Sequence, residues 1–154
     1  MSETRETLPD LAAMAAYGAR IATALRPGDV VALEGGLGAG KTTLARAILA
    51  ALGHRGEVPS PTFTIIETYD APPLRVAVVH ADFYRLEDPA ELAEIGLDDY
   101  REGAVLLAEW PDHAGGFAHE AGCLAITLLP AGESGEGGRI AIARGGADWV
   151  GRMP

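Results

Sequence analysis

Leu11, Met14, Ala15, Gly18, Ile21, Ala22 and Leu25 recur at helical spacing near the start of the chain. Asp10 can cap that stripe and Pro27-Gly28 stops it, so a helix is predicted from Asp10 to Arg26. The period then changes. "DVVALEGG" is a continuous apolar run rich in β-branched residues, the mark of a strand buried on both faces. A second helical stripe follows in "KTTLARAILAALG", with Leu44, Ala47, Ile48 and Leu52 on one face and Gly53 at its end. Gly56, Pro59 and Pro61 keep "HRGEVPSPTF" irregular before a predicted strand, "FTIIETY". "LRVAVVHAD" and "AVLLAEW" read as buried strands, and each carries an acid near its C-terminal end, Asp82 and Glu109. Between them "DPAELAEIGLDDY" predicts a short helix, capped by Asp88 with Pro89 in its first turn. "CLAITLLPAGESGEGGRIAIARG" predicts two strands joined by a glycine-rich turn.

Helices alternating with apolar strands predict an α/β fold: a three-layer sandwich whose central sheet is largely parallel, with antiparallel strands at an edge. No repeat or linker divides the chain, so one domain over residues 1–154 is expected. The glycine-rich tail from Gly145 to Pro154, with Trp149, either docks on the sheet or stays loose.

Composition narrows the partners. The net charge is −10, and so acidic a surface repels a phosphate backbone, which argues against direct tight binding of nucleic acid. One cysteine, Cys123, allows no intramolecular disulfide and fits a reducing cytoplasm. "MSETRETLPD" lacks the apolar stretch of a secretory signal, and no run of apolar residues is long enough for a membrane helix, so a cytoplasmic location is expected. The histidines at 54, 80, 113 and 119 lack paired ligand spacing, which argues against zinc. His80 reads as a hydrogen-bonded strand residue, and the lone Trp110 as packing beneath the sheet edge.

Candidate chemistry sits in "EGGLGAGKTT". Gly35, four residues, then Gly40-Lys41-Thr42 is the phosphate-loop spacing, placed between a predicted strand and a predicted helix. Glycines at 35, 36, 38 and 40 leave no Cβ in the way, so backbone N–H groups from Gly35, Gly36, Leu37, Gly38, Ala39, Gly40, Lys41, Thr42 and Thr43 can turn toward phosphate oxygens. The following helix adds its positive dipole end. Lys41 supplies a point charge for the terminal phosphates, and the Thr42 hydroxyl can ligate Mg²⁺. Of 12 basic residues, Lys41 is the only lysine. A site of this kind also needs carboxylates at neighbouring strand ends, where Asp82 and Glu109 are predicted; one can bind the metal and the other orient water.

These stretches together resemble the TsaE (formerly YjeE) family. The resemblance rests on "GGLGAGKTT", "SPTF" followed by "ETY", "HADFYRL", "GLDDY" and "EW", in that order. It implies a P-loop ATPase using ATP and Mg²⁺ with the TsaD and TsaB proteins, in threonylcarbamoylation of adenosine 37 of tRNAs that read codons beginning with A. By the same resemblance Lys41 and Thr42 hold phosphates and Mg²⁺, Glu109 is a metal ligand, and Asp82 serves the metal or the water. Ser60 and Thr62 of "SPTF" would lie in a switch-like loop near the γ-phosphate. Gly36 departs from the family, which usually has Asp there. Arg85 is the arginine nearest in sequence to a predicted site residue and serves either the γ-phosphate or the partner contact. Slow hydrolysis by the chain alone, stimulated by a partner, is expected if no arginine reaches the γ-phosphate. The rival is a small-molecule P-loop kinase, which needs an acceptor pocket and a basic closing lid; no inserted lid is legible.

Overall fold

The computed structural model describes residues 2–59, 66–132 and 137–154. In chain order its elements are β1 (Ser2–Leu8), α1 (Leu11–Ala24), β2 (Val30–Glu34), α2 (Lys41–Leu52), β3 (Ile66–Tyr69), β4 (Val78–Asp82), α3 (Glu91–Ile95), α4 (Leu97–Arg101), β5 (Val105–Glu109), β6 (Cys123–Pro130) and β7 (Arg139–Gly145). The strands form one sheet in the order β1-β7-β6-β2-β5-β4-β3. Its centre, β6-β2-β5-β4, is parallel, while β3 and the β7-β1 pair join antiparallel. The predicted α/β class and its parallel centre with antiparallel edges are therefore what the chain adopts.

Strand alternation makes two cores. Val31, Leu33, Val105 and Leu107 face α1 and α2, where Tyr17, Ile21, Leu44, Ile48 and Leu49 are buried against them. Val30, Ala32, Leu106 and Ala108 face the opposite side, covered by Phe83, Leu86, Leu97 and Phe117. Helices on both faces give the three layers. Asp10 caps α1 as predicted, its carboxylate accepting from Ala13 N–H at 2.8 Å.

The structure adds one element and changes one local reading. The N-terminal segment, which carries no apolar run, is an edge strand paired along its length with β7, from Ser2↔Gly145 to Leu8↔Arg139. Main-chain bonds hold it and only Leu8 is buried, so hydrophobic periodicity could not reveal it; Glu3, Arg5 and Glu6 suit an edge that must not recruit another strand. The helix predicted over 88–100 is split into α3 and α4 by Gly96, whose φ of 80° is left-handed and closes α3. Of the strand predicted from Phe63, only Ile66–Tyr69 falls within the described residues.

The tail docks. Trp149 is fully buried, its indole N–H donating to Gly122 O at 2.8 Å. Arg152 grips both oxygens of buried Asp29, at 2.9 and 3.0 Å, which ties the last turn to the start of β2. Burial pushes the Cys123 thiol up to about 12, which makes it an inert apolar filler. Among the described residues no helix is long and apolar enough to cross a membrane.

The docked tail yields a stability prediction. Trp149→Ala should lower unfolding free energy by roughly 3–5 kcal/mol, the usual cost of emptying a buried tryptophan site. Urea unfolding followed by circular dichroism measures it; a loss below about 1 kcal/mol would mean the tail is not part of the core.

Candidate active site

β2 ends at Glu34 and α2 begins at Lys41, with six residues between them. Between them the loop must turn sharply while lying against β6. A Cβ on Gly35 would sit 2.7 Å from Leu128 O, and Gly40, which caps α2, has φ of 104°. Both positions therefore require glycine, one for close approach and one for backbone conformation.

Lys41 is 5% exposed and folds back across the loop, its ammonium donating to Gly35 O at 2.8 Å and Gly36 O at 2.7 Å. An ammonium has three donors, so these bonds brace the loop and leave one for a ligand. The Trp110 ring lies 4.2 Å from the same nitrogen. Burial lowers the Lys41 pKa, while Glu109 and Asp82 pull it back up.

β4 and β5 bring the acids to the same edge. Asp82 is directly paired with Glu109 in the parallel ladder, and Glu109 with Leu33 of β2. Residues 78, 80 and 82 of β4 and 105, 107 and 109 of β5 point to the α2 face by alternation. Glu109 is only 2% exposed and both its oxygens are engaged. Thr42 Oγ1 donates to Oε1 at 2.8 Å, and His80 Nε2 lies 2.6 Å from Oε2. His80 is fully buried, and its Nδ1 has no hydrogen-bond partner. Asp82 is freer. Its Oδ1 accepts from Tyr84 N–H at 3.0 Å, and burial raises its pKa; the Tyr84 bond opposes this, Glu109 adds to it, and His80 and Lys41 lower it.

Lys41, Thr42, Asp82, Arg85, Glu109 and Trp110 line one cleft of about 410 Å³ over the loop. A hollow of about 490 Å³ beside Arg46, His54 and Val58 contains neither the lysine nor the carboxylates, so its larger size does not make it the better site. The structure thus places Lys41, Thr42, Asp82, Glu109 and Arg85 in the lining of one cleft. Ser60 and Thr62 lie outside the described residues. Trp110 packs against the second core, as the sequence reading has it, and does more: its backbone is left-handed, with φ of 56°, and its ring also lines the cleft beside Tyr84 and His113, at 4.9 and 5.5 Å. The bond from His80 to Glu109 was not legible, although equal strand parity of the two residues was a signal for it. Nothing lies within 4 Å of a Cβ placed on Gly36, so the departure there leaves open space, not a gap in the packing.

Strand, glycine loop and helix, with acids on neighbouring strand ends, define an α/β protein whose loop has the phosphate-loop spacing. The family model described as threonylcarbamoyl adenosine biosynthesis protein TsaE matches residues 8–137, and the chain belongs to that family. It is 38% identical over 130 residues to the tRNA threonylcarbamoyladenosine biosynthesis protein TsaE of Haemophilus influenzae, covering 80% of this chain and 81% of that one. Its identity to the protein of the same name from Streptomyces coelicolor is 45% over 102 residues, covering 63% and 66% of the two chains. The crystal structure of Bacillus subtilis YdiB superposes with a TM-score of 0.79 at 27% identity, covering 98% of this chain and 91% of that one.

The raised pKa of Asp82 has a measurable consequence. Because the folded state holds this proton more tightly than the unfolded chain, whose carboxyl keeps the ordinary 3.8, stability from this group falls as pH rises above that value. Asp82→Asn should therefore unfold at higher urea than the parent at neutral pH, in chelator and without nucleotide. The gain should shrink as pH is lowered toward the ordinary carboxyl range. Equal midpoints at neutral pH would show that burial does not govern this carboxylate.

Proposed function

We propose that the chain is a cytoplasmic, Mg²⁺-dependent ATPase that works with TsaD and TsaB proteins in threonylcarbamoylation of adenosine 37 of tRNAs reading A-starting codons. The observation that carries the ATPase reading is that consecutive residues put an ammonium on the glycine loop, Lys41 on Gly35 O and Gly36 O, and a hydroxyl on a buried carboxylate, Thr42 on Glu109. Membership of the TsaE family, and the names its relatives carry, support the tRNA role.

The donor set fits magnesium. Octahedral Mg²⁺ with oxygens at about 2.1 Å holds neighbouring ligands about 3 Å apart. Thr42 Oγ1 and Glu109 Oε1 are already 2.8 Å apart, both hard oxygens. Among the described residues no three His, Cys, Asp or Glu side chains gather into a complete cage, which suits an ion that takes its remaining ligands from phosphate and water. When bound, the ion would neutralise charge on the terminal phosphates.

The chain's residues divide the remaining work. Loop N–H groups between Gly35 and Thr43, apart from that of Ala39, which bonds Gly36 O, and the spare Lys41 proton hold phosphate oxygens. Glu109, fixed at both oxygens, serves as the metal ligand. Asp82 keeps one oxygen outside the Tyr84 bond, and its raised pKa suits a group that orients the attacking water and accepts its proton. Water then attacks the γ-phosphorus as the bond to the β-phosphate oxygen breaks, giving ADP and phosphate. Among the described residues Arg85 is the one arginine lining the cleft, and it is the group available to the γ-phosphate or to a partner. A single arginine on an open cleft supports slow turnover alone and stimulation on complex formation, and it does not favour a kinase, which needs a closing basic lid. A chain of net charge −10 is better matched to basic protein surfaces than to RNA.

ATP turnover with Mg²⁺, alone and with the TsaD–TsaB pair, tests this reading. The expected result is slow hydrolysis alone, a clear rise with the pair, and a loss of roughly 100-fold or more in Lys41→Ala, as when a charge-stabilising donor is removed. Turnover unchanged by the pair would remove the tRNA-modification role, and faster transfer to a small hydroxyl compound than to water would replace the ATPase reading with a kinase.

A further inference from the structure

The parallel strands of the sheet end at the edge that carries the glycine loop. β7 runs antiparallel to β6, so it is the beginning of β7 that reaches this edge, with Arg139 opposite Pro130. Arg139 has the same parity as Ala141 and Ala143, which are buried on the α1–α2 face, so its side chain projects onto the face where the loop lies. There Nε donates to Ala39 O at 2.9 Å and Nη2 to Gly38 O at 3.0 Å, while Nη1 bonds Gly138 O at 3.0 Å. The guanidinium thus holds consecutive carbonyls of the glycine loop. The position lies two residues beyond the end of the family match at 137.

A planar guanidinium is a rigid fork, so engaging neighbouring carbonyls with it fixes the planes of both peptides. In a trans peptide the C=O and the following N–H point in opposite directions. Holding Gly38 O and Ala39 O toward Arg139 therefore turns the N–H groups of Ala39 and Gly40 away from it. The Ala39 N–H closes a turn on Gly36 O at 3.1 Å. Lys41 meanwhile braces Gly35 O and Gly36 O from the cleft side. The loop is therefore clamped between two cations, one facing the cleft and one at its back. Glycine-rich backbone has more freedom to lose on ordering than any other, so a clamp that acts before a ligand arrives strengthens binding by removing that loss.

We propose that Arg139 is a positioning residue for the phosphate loop, whose fork on Gly38 O and Ala39 O pre-orients the loop's N–H groups for a nucleotide. This rests on the reading of the loop as a nucleotide site. It also ties the C-terminal hairpin, β6 and β7, to the chemistry of a loop a hundred residues earlier in the chain.

The test compares the parent, Arg139→Met and Arg139→Lys by calorimetric titration with MgADP and by amide hydrogen exchange without nucleotide. Arg139→Met should weaken MgADP about tenfold or more, and Arg139→Lys, which keeps the charge and can reach one carbonyl, should recover part of the loss. In nucleotide-free Arg139→Met, amides 38–41 should exchange faster while those of β2 and β6 keep the parent rate. That split is what a merely structural arginine would not produce. MgADP affinity within twofold of the parent, or loop and strand amides accelerating together, overturns the inference; the lysine variant decides the matter if the methionine variant folds poorly. A parent that binds no MgADP overturns the nucleotide reading itself, and this inference with it.

Discussion

A carboxylate taken out of water must be compensated in place, and Glu109 is the one on which this site depends. Leaving such a charge unpaired in a dry interior costs several kcal/mol, so its partners must arrive with it. They come from separate elements: Thr42 from the first turn of α2 and His80 from the middle of β4. The carboxylate therefore joins strand β5, its neighbour β4 and the helix after the glycine loop into one unit. His80 keeps part of the cost, since its Nδ1 is buried without a partner. Retention of such an unsatisfied atom beside the cleft is what a site selected for chemistry, not for stability, should show.

Topology then supplies the rest of the constellation. Parallel strands deliver their C-terminal ends to one edge, so β2, β4 and β5 bring the loop, Asp82 and Glu109 together without any long excursion of the chain. An antiparallel strand delivers its start to that same edge, and this is how Arg139 arrives behind the loop. Both kinds of edge geometry meet at one place. The mixed sheet is more than a way to finish the edges.

Much of this was legible because it is local. The stripe through α1, its Asp10 cap, the apolar runs of β2, β4 and β5, and the loop spacing are all properties of short windows, and periodicity or glycine chemistry reads them directly. The acids at 82 and 109 were legible as strand ends for the same reason. What escaped was set by distant partners. β1 has little apolar signal because the β7 ladder holds it, and Trp110 turns into the cleft because its backbone adopts a left-handed conformation that no pattern of polarity encodes. The grip of Arg139 on Gly38 and Ala39 spans a hundred residues, so no window could contain it. Gly96, by contrast, broke the helix predicted from 88 to 100 in plain view.

The solitary lysine carries one more consequence. Lys41 is the only side-chain amine in the molecule, and it is nearly buried in the cleft. Burial favours its neutral, nucleophilic form, while its bonds to the loop carbonyls shield it. An amine-directed covalent reagent small enough to enter thus meets a single side chain in the whole protein, at the centre of its chemistry. A mass increment of one label on that side chain becomes a direct count of open, unprotected sites, a form of selective footprinting that a lysine-rich surface would bury in background.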